Sequence, residues 1–339
     1  MNKKKVVVLN DTKTENHHGC SRVMDNLYYL ISKNNGEVIG NSYVSIDWRK
    51  NELLKSKIMD SDIVIINGEG TIHHDSPHAI ALLDAANYCK QFNKKIYLIN
   101  ALFQCMSDDL NWKLKLFDGI YVRDSFSQKE LTDKGIESEV IYDLTFYSNS
   151  LDIPIGDRNF NDTYTCSVIL ERTIKLFEKS KECNSVFSPI MFGKSSWVSP
   201  NNTLWSKIKS NGFKSSFYKS INIVKSKIFY RKINIYSKVY THDLYHRDIA
   251  NTKFLVSGRF HSVCFAINSM TPFVALRSNS HKVEALLEDF ELSKDRIVDD
   301  LVHINTNLRS FSHNERDSIN EKLIKNRYKT EEVFKIIFS

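Results

Sequence analysis

Two doubly wound α/β domains facing one another across a cleft are what this sequence predicts, and three observations carry the prediction. The chain has 339 residues, more than one ordinary domain of roughly 100–200 residues accommodates. Short β-branched and aliphatic runs alternate with stretches of helical periodicity, the rhythm of parallel sheets covered by helices on both faces. The composition, 42% hydrophobic and 26% charged, is that of a folded chain and excludes a mostly disordered one.

Taken in order, Val6–Leu9 reads as the first buried strand. These four apolar residues follow the charged start Met1-Asn2-Lys3-Lys4-Lys5 and fall short of the about 7–15 a secretory core needs, which predicts a cytoplasmic protein. Val23–Ile31 has helical spacing and closes near Gly36. Ile63–Ile66 is a second buried run, and Ala79–Phe92 an amphipathic helix opened by Ser76-Pro77, with proline suited to a first turn. Strands follow at Ile96–Ile99, Gly119–Val122 and Val140–Tyr142, with a helix at Ser125–Lys134 stopped by Gly135. Residues 151–162 read as a linker between a domain over 1–150 and a second over 163–339. In the second half, Ser167–Leu170, Ser185–Phe192, Phe254–Ser257, Pro272–Leu276 and Arg296–Val298 read as extended. Val263–Met270, Glu284–Phe290 and a long Glu315–Phe338 read as helical. No apolar run approaches the roughly 18 residues of a membrane span.

Charge and cysteines narrow the partners. The formal net charge is +7, and its distribution says more than its size. From Cys183 to His242 there is no acidic residue, while Lys194, Lys207, Lys209, Lys214, Lys219, Lys225, Lys227, Arg231, Lys232 and Lys238 alternate with aromatics such as Trp197, Trp205 and Tyr236. Such a stretch suits an anionic membrane surface or a charged glycan, or is simply a solvated basic face. No nucleic-acid-binding motif accompanies it, so no nucleic acid is expected as a partner. The six cysteines form no C-x-x-C pair and read as reduced, mostly buried thiols.

In open α/β sheets ligands bind beyond the carboxyl ends of the strands, and three strand-end loops carry chemistry. Ser257-Gly258-Arg259-Phe260-His261-Ser262 lies between a strand and a helix. Residues two apart in an extended segment share a face, so Arg259 and His261 project together, and Gly258 permits the turn. Arginine supplies a donor fork for phosphate or carboxylate, histidine a proton near neutrality, and a helix start adds amide donors. Arg277, Ser278, Asn279, His281 and Lys282 follow as further anion ligands. The bland alternative is a structural ion pair and a hydrogen-bonded histidine. The second loop holds Asn67, Gly68, Glu69, Gly70, His73, His74 and Asp75: glycines for close backbone approach, and side chains for proton transfer or sugar hydrogen bonds. Asp75 or Ser76 as a helix cap is the bland reading there. Its histidines fit no zinc spacing, so no metal is expected. The third, after strand one, holds Asn16, His17, His18 and Cys20. It is no G-x-G-x-x-G fingerprint, which argues against NAD, and Cys20 has no evident partner as a nucleophile.

The order of motifs resembles the polysaccharide pyruvyl transferase family. The matching pieces are Asp62 to Gly70, Tyr121-Val122-Arg123-Asp124-Ser125 followed by Leu131, Tyr142-Asp143-Leu144-Thr145-Phe146, and Leu255-Val256-Ser257-Gly258-Arg259-Phe260-His261 followed by Ala266, Pro272 and Lys282. The resemblance implies two Rossmann-like domains of the GT-B type and transfer of an enolpyruvyl-derived unit from phosphoenolpyruvate onto two sugar hydroxyls as a ketal. It implies His261 as general acid, Arg259, Lys282 and Arg123 neutralising the donor, and Glu69 or a neighbour as base toward the acceptor. The first half would hold the acceptor, a glycan or lipid-linked sugar, and the second the small anionic donor, with no cofactor. The family's usual Gly-rich N-terminal loop is here Asn16-His17-His18-Gly19-Cys20, and its glycine triplet is Gly68-Glu69-Gly70. These departures keep open a glycosyltransferase of the same architecture using a CMP- or UDP-sugar, and a non-catalytic glycan- or membrane-binding module.

Overall fold

The computed structural model describes residues 2–147, 158–191, 229, 241–278, 280–301 and 306–339. The strands described form two sheets. The first has the order β2-β1-β3-β4-β5-β6, built from β1 (Lys4–Asp11), β2 (Gly36–Tyr43), β3 (Ile63–His73), β4 (Lys95–Gln104), β5 (Gly119–Val122) and β6 (Glu139–Val140). The second has the order β11-β10-β9-β7-β8, from β7 (Thr163–Ser167), β8 (Val186–Phe187), β9 (Leu255–Gly258), β10 (Phe273–Leu276) and β11 (Ile297–Val298). Neighbouring strands pair parallel throughout. The helices are α1 (His18–Lys33), α2 (Glu52–Asp60), α3 (Pro77–Gln91), α4 (Asn111–Leu114), α5 (Ser125–Asp133), α6 (Leu170–Glu182), α7 (His242–Ala250), α8 (Phe260–Asn268), α9 (Lys282–Asp289) and α10 (His313–Phe338). These are the two Rossmann-like, doubly wound units that the alternating pattern predicts.

The continuous apolar runs of the sequence are what parallel strands covered on both faces require. Along β1, Val7 and Leu9 point into one core with Val64, Ile66, Leu82 and Ala86, while Val6 and Val8 point into the other with Val23, Leu27 and Leu30. This is the period-2 alternation of a strand with both faces buried. The second sheet repeats the plan: Leu255, Phe273 and Ala275 pack on α8 through Val263 and Phe265, and Val256, Val274 and Leu276 pack on Leu176 of α6.

Five elements escape the sequence reading: β2, α2, α4, α6 and α7. Edge strand β2 mixes glycines and polar residues and has no buried apolar run. The extended reading of Ser167–Leu170 is corrected. The chain turns at Ser167, whose backbone N–H donates to Thr173 Oγ1 at 3.0 Å and whose hydroxyl accepts from the Ile169 N–H at 3.2 Å. Leu170 then opens α6.

The C-terminal helix also departs from its assignment to the second domain alone. Its 26 residues make roughly 39 Å of helix at 1.5 Å per residue, long enough to touch both sheets. Ile319 joins the second core, whereas Val333, Phe334 and Ile337 join the first. The helix start is fixed by a capping box between Ser312 and Glu315. Glu315 also receives the Arg296 Nε–H at 2.9 Å and an Nη2–H at 3.1 Å. The first seven residues of the expected linker, Asn279, and all the basic residues named between 183 and 242 lie outside the described residues.

Candidate active site

Strand order places a reversal beside β1 in the first sheet and between β7 and β9 in the second. Those reversals are where a doubly wound sheet opens a crevice at its carboxyl edge. The two crevices meet in a cavity of about 250 Å³. From the first sheet come Thr12, Glu15, His17 and Cys20 after β1, Glu69 to Thr71 at the end of β3, and Arg123 after β5. From the second come Val168 after β7, Gly258 to His261 after β9, and Lys282 at the start of α9.

Arg259 and His261 thus share one cavity, though not by strand alternation. Arg259 is the extended N-cap residue of α8, and His261 is the second residue of that helix. Arg259 is half-buried. Its Nε lies 3.3 Å from Cys166 Sγ and an Nη2 3.3 Å from Met191 Sδ, weak acceptors that orient the guanidinium. Gly258 serves close packing rather than a left-handed turn: a Cβ there would sit 2.5 Å from Ser167 Cβ on the neighbouring strand. Gly19, in the first turn of α1, has a sharper role. A Cβ there would fall 2.3 Å from both Cβ and Cγ of His261. The imidazole occupies space that any other residue at 19 would fill.

Two carboxylates face that imidazole. Nε2 of His261 lies 3.4 Å from Glu69 Oε1 and 3.6 Å from Asp143 Oδ2. Glu69 holds this position from a backbone with φ +38°, a conformation a non-glycine residue rarely adopts. Asp143 is buried, accepts the Thr145 N–H and hydroxyl, and pairs with Arg123 at 3.1 Å. Burial alone would raise the Asp143 carboxyl, but His261 and Arg123 hold it well below the usual carboxylate range. The Arg123 guanidinium lies over the Phe260 ring at 4.3 Å from its centroid. Burial, then the like charges of Arg123 and Arg259, push the Lys282 amine down to about 8. Burial and the neighbouring Glu69 push the Glu15 carboxyl up to about 7. Burial and the same two glutamates push the Cys20 thiol well up, so it is no ready nucleophile.

The structure brings together Arg259, His261, Gly258, Glu69, Gly70, Arg123, Lys282 and His17. Other sequence-predicted residues stand elsewhere. Arg277 pairs with Asp299 at 2.9 Å and Glu284 at 2.7 Å. His281 lies 3.3 Å from Asp124 Oδ1. Ser278 is half-buried outside the cavity. His73 and His74 contact each other at 3.0 Å, and Asp75 accepts the Ser107 N–H at 2.9 Å. Ser76 is the cap of α3. His18 stacks on Tyr245 with centroids 4.7 Å apart. Asn67 is buried, its amide 3.3 Å from the Asn10 carbonyl. Gly68 lets β3 approach Ala101. Asn16 is the left-handed residue closing the short 3-10 turn Lys13–Glu15. The residues missed were Glu15, Asp143 and Gly19. Asp143 stood in a quoted motif without a role, whereas nothing local to the sequence sets Glu15 apart from other loop glutamates.

A ligand atom from each of His17, Cys20 and His261 lies within 4.8 Å of the others, and all three residues are buried. The spacing could hold a soft ion. Against it, Arg123, Arg259 and Lys282 line the same cavity, and His17 Nδ1 already accepts the Cys20 N–H at 3.4 Å as the cap of α1.

With this geometry in view, comparison with known proteins gives a family and a fold. The sequence profile described as polysaccharide pyruvyl transferase matches residues 22–280. No curated protein matches the chain. Among solved structures, Anabaena Alr3699/HepE in complex with UDP and glucose is similar at 11% identity and TM-score 0.50, covering 97% of this chain and 99% of that one. The UDP-GlcNAc 2-epimerase of Methanocaldococcus jannaschii is similar at 13% identity and TM-score 0.45, covering 95% and 91%. The likeness to the first of these is one of fold, the two-domain GT-B-like architecture. Among the described residues no helix is long and apolar enough to cross a membrane.

Proposed function

Because the chain belongs to the polysaccharide pyruvyl transferase family, a family of polysaccharide-modifying transferases, we propose that it transfers pyruvyl from phosphoenolpyruvate to a sugar of a bacterial surface-polysaccharide precursor. The observation that carries this reading is the convergence of Arg123, Arg259 and Lys282 on the cavity that His261 also lines. Phosphoenolpyruvate brings a phosphate and a carboxylate, and three cations in a shielded cleft suit both. His261 gives a proton to the methylene carbon, which leaves C2 electron-poor. One sugar hydroxyl adds to C2, phosphate departs with the C2–O bond pair, and a second hydroxyl closes the ketal. Protons balance: the hydroxyls release two, the methylene takes one, and the departing phosphate takes the other. Glu69 and Asp143, 3.4 and 3.6 Å from its Nε2, orient the imidazole. The same proposal has the protein working in the cytoplasm on a glycan or lipid-linked acceptor, docked on the anionic inner membrane face through the basic stretch 183–242.

The test is phosphate release from phosphoenolpyruvate with a panel of p-nitrophenyl hexosides as acceptors, together with thermal shift, since a ligand that binds only the folded state raises its melting point. His261→Ala should lower turnover by about 10²–10⁴-fold, the usual worth of a general acid. A melting point raised by UDP or CMP and unmoved by phosphoenolpyruvate would replace this reading with nucleotide-sugar transfer.

A further inference from the structure

We propose that Glu15 is a further catalytic residue, the carboxylate that takes the proton from the attacking sugar hydroxyl. The inference rests on the pyruvyl reading and assigns the base toward the acceptor hydroxyls, which that reading leaves without a group.

Ketal formation strips a proton from each of two hydroxyls, so a base must face the acceptor. The obvious carboxylates are committed elsewhere. Glu69 is 5% exposed and sits 3.4 Å from His261 Nε2. Asp143 is 1% exposed and divided among Arg123, Thr145 and His261. Either could take a proton only by giving up the imidazole it orients. Glu15 lines the same cavity and is only half-buried. Its hydrogen-bond contact among the described residues is the Cys20 thiol, 3.9 Å away, a weak donor that a hydroxyl would displace.

Local structure explains why it faces inward. β1 ends at Asp11, the chain makes the 3-10 turn Lys13–Glu15, and Asn16 then takes φ +51° before α1 begins at His18. Asparagine tolerates that left-handed conformation. The reversal leaves Glu15 at the rim of the first sheet's crevice, across from Arg259. Its electrostatics agree with the role. Burial and Glu69 raise its carboxyl, Arg259 and His261 lower it, and the balance is about 7. A group so poised accepts a proton from one hydroxyl, passes it to the departing phosphate, and is ready for the second.

The test is Glu15→Gln, which keeps size and removes basicity, assayed as phosphate release from phosphoenolpyruvate with the p-nitrophenyl hexoside panel. Turnover should fall by about 10²–10⁴-fold, while the melting-point rise on adding phosphoenolpyruvate persists. The wild-type rate should climb as pH rises through about 7, and this limb should vanish in the variant. Glu15→Asp should recover part of the rate. A variant within about ten-fold of wild type, or one that keeps the limb, overturns the assignment. So does Glu15→Asp as impaired as Glu15→Gln with phosphoenolpyruvate binding lost in both, since that is disruption of the site. A wild type that neither binds nor consumes phosphoenolpyruvate overturns the pyruvyl reading instead.

Discussion

Gly19→Ala tests whether His261 must stand where it does. In the native packing a Cβ at position 19 would lie 2.3 Å from His261 Cβ and Cγ and 2.6 Å from Nδ1, whereas ordinary contact begins at 3.4 Å. The imidazole, or the first turn of α1, must therefore retreat by about 1.1 Å. His261 has little slack, because its Nε2 already stands 3.4 Å from Glu69 and 3.6 Å from Asp143. A 1 Å misplacement of a reacting group costs roughly 10²-fold in rate. Stability should move far less. Alanine in place of a helical glycine contributes about 1 kcal/mol, and overpacking a tight site costs about 1–3 kcal/mol, so the net loss is about 0–2 kcal/mol. The measurement is phosphate release from phosphoenolpyruvate beside urea unfolding of the same preparation. A variant that is stable and fully active would refute the claim that the space of the missing side chain positions the acid.

Other outcomes follow from the same geometry. Lys282 is held down to about 8 by burial and by Arg123 and Arg259, with Glu69 and Glu284 opposing. It carries charge below that pH, so phosphoenolpyruvate affinity by calorimetry should weaken as pH rises through about 8, and Lys282→Arg, which stays charged, should flatten the curve. Arg296→Met strands the buried Glu315 carboxylate and should cost about 3–5 kcal/mol in urea unfolding. Burial opposes it, but Arg296 and two backbone N–H groups hold the Glu315 carboxyl down to about 2. Its contribution is therefore complete above the ordinary glutamate value and is lost as pH falls toward 2; melting curves should show wild type and Glu315→Gln converging over that window. Co-sedimentation with anionic vesicles should weaken steeply with salt if residues 183–242 dock on lipid, and salt-independent association would remove that role.

What sequence made legible divides along a physical line. Val6–Leu9, Ile63–Ile66 and Gly119–Val122 announced their strands because a parallel strand is buried on both faces and its apolar run is unbroken. β2, at an edge, needs no such run and stayed hidden. Arg259, His261 and Lys282 were visible because unusual side chains sat at a strand–helix junction, where a doubly wound sheet gathers its ligands. Arg277, His281, His73, His74 and Asp75 occupied similar junctions and do not line the cavity. Adjacency in sequence cannot say whether a side chain turns into the crevice or back onto its own loop, and Arg277 turned to Asp299 and Glu284.

The residues that escaped notice were those whose role exists only across the cleft. Gly19 matters because His261, more than two hundred residues later, fills the space above it. Asp143 matters because Arg123 and His261 both reach it. Glu15 matters because Glu69 is already occupied with His261. None of these is a property of a local segment; each follows from the pairing of two sheets at their carboxyl edges. An imidazole held by two carboxylates from the opposite sheet can be reoriented by any motion that slides one unit over the other. The Arg22 contact to His246 at 3.1 Å and the Ser125 N–H to Asp289 at 3.1 Å join the two units and so bear on the acid although neither pair lines the cavity.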